Sequence, residues 1–222
     1  MQFAYSDYDA HLVSPILVQA TGQSVLAYAR AKLFDPLGIV TRPGSEPPFD
    51  MAHAAEYQRA QFAWPVDPQG NNMGPGWIKL RPPDMATFGE LFLQGGRWHG
   101  HQLVPADWVR QATTAQAGKA FTPMQIPPWD PVNYGYFWWV EPTGGAAAYY
   151  ALGWGGQLIE VVPQRHIVIV VSTNVPDPRV SNVSSGDLQG LVDVIVAAVK
   201  TKPPTMNQAR TTQTAVSTSL AA

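Results

Sequence analysis

Residues 157–173 read QLIEVVPQRHIVIVVST, two apolar runs that flank a short polar turn. The runs at 157–162 and 166–173 are rich in β-branched side chains, which favour strands, and a Pro-Gln-Arg turn joins them. This pattern predicts a β-hairpin. Aromatic and β-branched residues at 134–140 predict a further strand, so we expect an antiparallel sheet in the second half of the chain.

Helical spacing marks the segments on either side of this sheet. The last helix is predicted to start at Ser184 or Ser185 and to cover the sheet with one apolar stripe. That stripe comprises Leu188, Leu191, Val192, Ile195 and Val199. Earlier helices are predicted at about 24–34, 52–60 and 82–94, and from Pro105 with Trp108, Val109 and Ala112 on the buried side.

The segment after residue 6 has helical spacing but contains a proline. Asp7 or Asp9 is placed to cap this helix. Pro15 lacks an amide donor and clashes with the preceding turn of a helix, so we expect a kink or a break near Ser14.

Composition limits the function classes. Of the 222 residues, 45% are hydrophobic, which is enough for one sizeable core, and 14% are charged. A net charge of −2 without long runs of like charge gives no basis for binding nucleic acid. No apolar run approaches the roughly 20 residues of a membrane span. The absence of cysteine excludes disulfides and thiol catalysis.

We predict one domain over residues 1–200 and a disordered tail over 201–222, where threonine, alanine and proline dominate without periodicity. The sequence starts without a basic segment followed by an apolar one, so we expect a cytoplasmic location, or export if a signal lies upstream of Met1. His99 and His101 flank a glycine without acidic neighbours, so no metal site is expected. No phosphate-binding or dinucleotide fingerprint is present, and no cofactor is expected.

Two short segments carry the functional signal: Phe-Ala-Tyr-Ser-Asp at 3–7 and Leu-Gly-Trp-Gly-Gly-Gln at 152–157. In this order they resemble the second and third motifs of serine hydrolases related to class C β-lactamases and penicillin-binding proteins. The sequence is similar to that of the esterase and 6-aminohexanoate-dimer hydrolase branch of this family. The similarity extends over about 3–200. The resemblance implies an α/β fold, with an antiparallel sheet, a covering C-terminal helix and part of a helical region.

The first motif of that family is absent, because the sequence contains neither Ser-x-x-Lys nor Thr-x-x-Lys. Tyr5 matches the family's catalytic tyrosine, but a phenol needs nearby positive charge to act as a base near neutral pH. Without the lysine we expect Tyr5 to be an ordinary neutral phenol. Asp7 stands where the family most often has asparagine, and it either meets substrate there or only caps the helix.

The third motif indicates the class of substrate. Penicillin-recognising relatives carry Lys-Thr-Gly there, which binds a carboxylate, whereas this chain has Trp154, Gly155 and Gly156 as its implied substrate-binding residues. Tryptophan offers no cation, so we expect uncharged esters or linear amides rather than β-lactams or D-alanyl peptides. The backbone amide of Gln157 matches one oxyanion donor. Neighbouring aromatic residues are candidates for an acyl pocket or for the core: Trp138, Trp139, Tyr149 and Tyr150.

Our interpretation is the C-terminal portion of a serine hydrolase, catalytically incomplete without the nucleophile. Alternatives are a pseudoenzyme that binds a ligand or partner, a parent of the β-lactamase or D-alanyl carboxypeptidase type, and catalysis through Ser6 or Ser14. In the family fold, N-terminal strands pair with the last strand. Residues 167–171 would therefore form an exposed apolar edge here, through which we expect self-association.

Overall fold

The computed structural model describes residues 3–117, 133–173 and 185–199. Its α-helices are α1 Asp7–Thr21, α2 Val25–Ala29, α3 Asp35–Leu37, α4 Ala54–Arg59, α5 Pro82–Leu93, α6 Ala106–Ala112 and α7 Ser185–Ala198. Its strands are β1 Arg97–Trp98, β2 His101–Gln102, β3 Asn133–Tyr134, β4 Trp139–Val140, β5 Tyr149–Gly153, β6 Gln157–Val162 and β7 Ile167–Val171. The predicted mixture of helices and an antiparallel sheet is confirmed.

The main sheet has five antiparallel strands in the order β3-β4-β5-β6-β7. The predicted hairpin is β6 and β7, joined by a single 3₁₀ turn and by His166 at φ 53°. The strand predicted at 134–140 is wrong, because the chain reverses there between β3 and β4, with Phe137 at φ 64°. Strand β5 was not predicted, although it pairs with β6 along its whole length.

Helices cover both faces of this sheet. Helices α5 and α6 pack on one face, around a core that includes Phe92, Val109, Trp138, Tyr149 and Val161. Helix α7 packs on the other face, around a core that includes Tyr150, Leu158, Ile169, Leu188 and Val192. A sheet covered on both faces explains why β6 and β7 are almost uniformly apolar rather than alternating.

Two predicted buried positions are exposed. Leu191 of α7 is 49% exposed, because this helix buries Leu188, Val192 and Val196 instead. Trp108 of α6 is also 49% exposed and stacks on Tyr136 at a ring-centroid distance of 5.2 Å. In both helices the stripe of residues predicted to be buried is wider than the part of the helix surface that packs on the sheet.

Helix α1 is continuous from Asp7 to Thr21, so the predicted break near Ser14 is wrong. Ser6, rather than Asp7 or Asp9, is the N-cap, and its Oγ accepts from the Asp9 amide at 3.2 Å. Pro15 removes one hydrogen bond of the helix, while Ser6 at one end and Gly22 at φ 68° at the other satisfy its terminal groups.

A second helical segment begins after its N-cap Ser24, as predicted, but it continues beyond Phe34. A π-helical turn at Arg30–Phe34 links α2 to α3, and the segment ends at Gly38 with φ 72°. Its buried side chains, Leu26, Phe34 and Leu37, pack with Phe62 in a third core.

A long connection between α4 and α5 is anchored on α1. His11 Nδ1 accepts from the Gly74 amide at 3.1 Å, so the proton lies on Nε2, which is 3.0 Å from Asp67 Oδ2. Burial acts to raise the pKa of Asp67, but hydrogen bonds from Asn71, His11 and the Gln69 amide outweigh it and hold the pKa at about 2. These contacts fix α1, and therefore the segment that precedes it.

Within residues 3–117, 133–173 and 185–199, every helix is too short or too polar to span a bilayer. Strand β7 ends the described sheet and pairs only with β6 there, but its residues are buried or half-buried rather than exposed as predicted. Self-association through this edge stays a prediction. The predicted tail at 201–222 lies outside the described residues.

Candidate active site

An aromatic cluster holds the first functional segment against the sheet. Phe3 and Tyr5 alternate with exposed Ala4, as expected for extended backbone, so both rings point the same way. Tyr5 stacks on Trp139 at 5.2 Å between ring centroids and meets the edge of Tyr134 at 5.8 Å. Phe3 stacks on Tyr134 at 5.2 Å. Tyr134 and Trp139 form a cross-strand pair of β3 and β4, so the sheet itself positions Tyr5.

The environment of Tyr5 favours the neutral phenol. Burial raises the pKa of Tyr5 well above its ordinary value, and a hydrogen bond and the negative charge of Asp7 raise it further. Burial and the charge of Asp7 also raise the pKa of Tyr134 to about 12. A base at neutral pH requires the opposite shift, which positive charge would supply. The expected neutral state of Tyr5 therefore agrees with its surroundings.

Neither Ser6 nor Ser14 has the partners of a nucleophile. Ser6 Oγ is occupied as the helix cap, and Ser14 is 3% exposed with its hydroxyl unpartnered inside the described structure. A serine nucleophile needs a base within hydrogen-bond reach. The geometry thus gives no support to catalysis through Ser6 or Ser14.

The second functional segment is the turn between β5 and β6. Gly155 and Gly156 have φ 77° and φ 86°, a conformation that favours glycine, and both are buried. Trp154 is 50% exposed at the tip. The turn therefore places a large aromatic surface in solvent, whereas the backbone of its two glycines is covered.

Contacts with the end of β7 hold this turn. Gln157 Nε2 donates to the Thr173 carbonyl oxygen at 3.0 Å and to Thr173 Oγ1 at 2.9 Å. Ser172 Oγ donates to Gln157 Oε1 at 3.1 Å, and Thr173 Oγ1 donates to the Gly155 carbonyl oxygen. The Gln157 side chain is committed to these bonds.

The strand register places both segments at one end of the sheet. Trp139 pairs with Tyr150, and from there β5 runs three residues to Gly153, which pairs with Gln157. Three strand residues span about 10 Å. The reversal between β3 and β4 and the end of β7 lie at this same sheet end. Tyr5, through its contact with Trp139, and the turn at 154–156 thus lie toward the same end of the sheet.

The comparisons with known proteins agree with this geometry. A family model described as Beta-lactamase matches residues 1–193. The chain belongs to the Beta-lactamase family. No curated protein sequence matches it significantly.

Solved structures show the same fold as this Beta-lactamase family chain. A Bacillus anthracis protein described as a 6-aminohexanoate-dimer hydrolase matches with a TM-score of 0.62 and 20% identity, over 88% of this chain and 44% of its own. A Bacteroides dorei protein described as a β-lactamase matches with a TM-score of 0.55 and 16% identity, over 78% of this chain and 51% of its own. The chain therefore spans about half the length of these two structures.

Sequence reasoning missed part of this candidate site. Trp138, Tyr149 and Tyr150 are at most 6% exposed and belong to the core, so only Trp139 of the four pocket candidates reaches Tyr5. Tyr134 was not predicted as a site residue, because only the folded sheet brings it to Tyr5. The alternation of Phe3 and Tyr5 was a signal that both face one surface.

His99 and His101 lie on or beside the exposed β1-β2 hairpin. Across residues 3–117, 133–173 and 185–199, no group of three or more histidine, aspartate or glutamate side chains could hold a metal ion.

Proposed function

We propose that this chain provides the tyrosine and glycine-turn parts of a serine hydrolase that cleaves esters or linear amides through an acyl-enzyme. The nucleophilic serine and its lysine would come from residues outside this sequence. The observation that carries the proposal is that Tyr5, stacked on Trp139, borders the same end of the sheet as Gly155, Gly156 and Gln157.

Each part has a defined chemical role in this proposal. The serine hydroxyl attacks the substrate carbonyl and loses its proton to a base, which forms an acyl-enzyme that water later hydrolyses. Tyr5 becomes that base only when an ammonium group nearby lowers its pKa, against the effects of burial and Asp7. The backbone amide of Gln157 donates to the developing oxyanion. The hydrogen bonds from the Gln157 side chain to Thr173 fix the position of that residue.

The turn favours esters and linear amides over β-lactams. Recognition of a β-lactam carboxylate calls for a cation at the third motif, and Trp154 supplies an apolar surface instead. The fold similarity to the protein described as a 6-aminohexanoate-dimer hydrolase supports the linear-amide branch. Asp7, exposed beside Tyr5, adds negative charge where a carboxylate substrate would be repelled.

The test combines intact mass and covalent labelling of the protein isolated from its native source. Treatment with a fluorophosphonate is expected to modify one serine in a Ser-x-x-Lys segment upstream of Met1. Tyr5→Phe in that protein should slow labelling, whereas Tyr149→Phe, a buried core substitution, should not. A label on any serine within the 222 residues contradicts the proposal. A native mass of 222 residues without labelling also contradicts it and favours the pseudoenzyme.

A further inference from the structure

The first half of α1, residues 7–13, has no buried side chain in the described structure. Its large apolar side chains are 48 to 89% exposed: Tyr8, Leu12 and Val13. A helix of a globular protein is ordinarily held in place by a buried apolar stripe. Here Ala10 and His11 are the half-buried residues, so their contacts hold the part of α1 that lies nearest to Tyr5.

His11 joins α1 to the connection between α4 and α5 through both of its ring nitrogens. Nδ1 accepts from the Gly74 amide at 3.1 Å, and Nε2 donates to Asp67 Oδ2 at 3.0 Å. We call these two hydrogen bonds the His11 bridge. At Gly74 the two backbones also touch, because a Cβ atom there would lie 2.6 Å from the Ala10 carbonyl oxygen and 2.9 Å from His11 Cα. A change in the bond to Gly74 therefore moves one backbone segment relative to the other.

The bond from Gly74 exists only while His11 is neutral. The amide N–H needs the lone pair of Nδ1, and protonation turns Nδ1 into a second donor. The bond from Nε2 to Asp67 persists, because imidazolium donates from both nitrogens and is attracted by the carboxylate. Protonation of His11 therefore breaks the bridge at Gly74 and not at Asp67.

The charged surroundings of the bridge are simple. Asp67 is the one charged residue at positions 67–77 of the connection. Its pKa of about 2 keeps it ionised at every pH considered below. Asp7, one turn earlier on α1, is exposed to solvent. The titration of His11 itself is therefore the event that changes the bridge.

We propose that His11 is a positioning residue for Tyr5: it holds the start of α1 against Gly74 when neutral and releases it when protonated. Tyr5 directly precedes Ser6, the N-cap of α1, so a displacement of this helix end reaches Tyr5. The ring of Tyr5 is stacked on Trp139 of the sheet, and this contact reports the displacement. The catalytic importance of Tyr5 rests on the proposed function, whereas the bridge does not.

The first measurement uses the parent chain and needs no variant. Amide hydrogen exchange of Gly74 is followed by NMR at pH 5 and pH 8, the range over which histidine ordinarily changes charge, and each rate is corrected for intrinsic exchange. We expect the protection of Gly74 to be at least about fivefold lower at pH 5, which is the factor that one hydrogen bond contributes. The indole N–H signal of Trp139 should shift with the same midpoint.

Two substitutions separate the two nitrogens of His11. His11→Asn places an amide oxygen near the position of Nδ1, so it accepts from Gly74 at both pH values without contacting Asp67. His11→Gln places an amide nitrogen near the position of Nε2, so it donates to Asp67 without accepting from Gly74. We expect the protection of Gly74 to be independent of pH in both variants, high in His11→Asn and low in His11→Gln.

Two control variants test whether His11 is the group that responds. His53 Nδ1 lies 2.7 Å from Asp50 Oδ1 in a second, exposed pair outside α1, so His53→Asn removes a comparable titrating group. Burial raises the pKa of Glu160 to about 7, so Glu160→Gln removes another group that titrates in this range. Both variants should keep the pH response of Gly74 and of Trp139.

Four results would overturn the inference: protection of Gly74 that does not fall between pH 8 and pH 5, a pH response that persists in His11→Asn, loss of the response in either control, or a Trp139 signal that does not follow Gly74. None of these results depends on the nucleophile. Fluorophosphonate labelling of an upstream serine together with any of them would leave the hydrolase proposal standing and remove only the role of His11.

Discussion

The two faces of the sheet are packed in different ways. On the α5 face, Gly89 lets the helix approach so closely that a Cβ atom there would lie 2.5 Å from Val168 Cγ1. On the α7 face, Glu160 is buried at 2% exposure and its Oε1 has no hydrogen-bond partner within the described structure. The α5 face is held by close packing of the helix on the sheet, whereas the α7 face contains a buried carboxyl group. Trp139, which holds Tyr5, packs on the α7 side.

The largest predicted effect concerns the buried acid. Burial, opposed by a hydrogen bond from Thr143 and reinforced by the charges of Asp193 and Glu141, raises the pKa of Glu160 to about 7. The ordinary value is 4.5, so ionisation of Glu160 costs the folded state about 3 kcal/mol. The folded state binds this proton more tightly than the unfolded state. This contribution to stability is therefore present below pH 4.5 and is lost as the pH rises to about 7.

Glu160→Gln should accordingly raise the free energy of unfolding by about 3 kcal/mol at pH 8 and change it little at pH 4. The neutral amide keeps the shape of the side chain and removes the charge that Glu141 and Asp193 repel. Urea unfolding of both proteins at the two pH values measures the difference. Equal free energies of unfolding for the parent and Glu160→Gln at pH 8 would mean that ionised Glu160 does not destabilise the folded state.

The next effect tests the close approach on the α5 face. Gly89→Ala places a methyl group 2.5 Å from Val168 Cγ1 and 3.0 Å from Ile159 Cγ2, so α5, the strands or these two side chains must shift. Overpacking of this kind costs about 2 kcal/mol. A lower urea midpoint with an unchanged slope is expected. A stability at or above that of the parent would show that α5 does not lie against β6 and β7 as described.

The smallest effect comes from a glycine of the other covering helix. A Cβ atom added at Gly190, which is exposed in α7, would meet nothing within 4 Å. Alanine favours a helix over glycine by about 0.8 kcal/mol, so Gly190→Ala should stabilise the chain by about that amount. Substitution of glycine by alanine is thus expected to lower the stability of the protein in α5 and to raise it in α7. Destabilisation by Gly190→Ala, seen in the thermal midpoint, would indicate a contact on the outer surface of α7.

The sequence predicted the elements whose signals are local. The hairpin of β6 and β7 follows from β-branched runs around a short turn, and α5 follows from an N-terminal proline, an apolar stripe and terminal glycines. Strand β5 was missed because Ala151 and Gly153 give it little strand propensity, and its pairing with β6 decides its conformation. Trp108 was misplaced because its partner, Tyr136, is distant in sequence.

The residues of the candidate site also divide into those with a local sequence signal and those that only the folded sheet brings together. Tyr5 and Gln157 are proposed as site residues from motif order alone. The contact of Tyr5 with Tyr134 could not, because it joins residues from opposite parts of the chain through the β3-β4 reversal. The role of Thr173 also depends on the register of β7 against β6, which brings its hydroxyl to the glycine turn.

The state of the Tyr5 phenol is the most direct test of the proposal that Tyr5 needs a nearby cation before it can act as a base. The pH titration of tyrosinate absorbance, taken as the difference between the parent chain and Tyr5→Phe, isolates this one group. Burial and Asp7 predict that Tyr5 stays largely protonated at pH 10, where an ordinary tyrosine is about half ionised. Ionisation of Tyr5 at or below pH 8 would contradict this prediction, because the phenol would then be activated without a lysine.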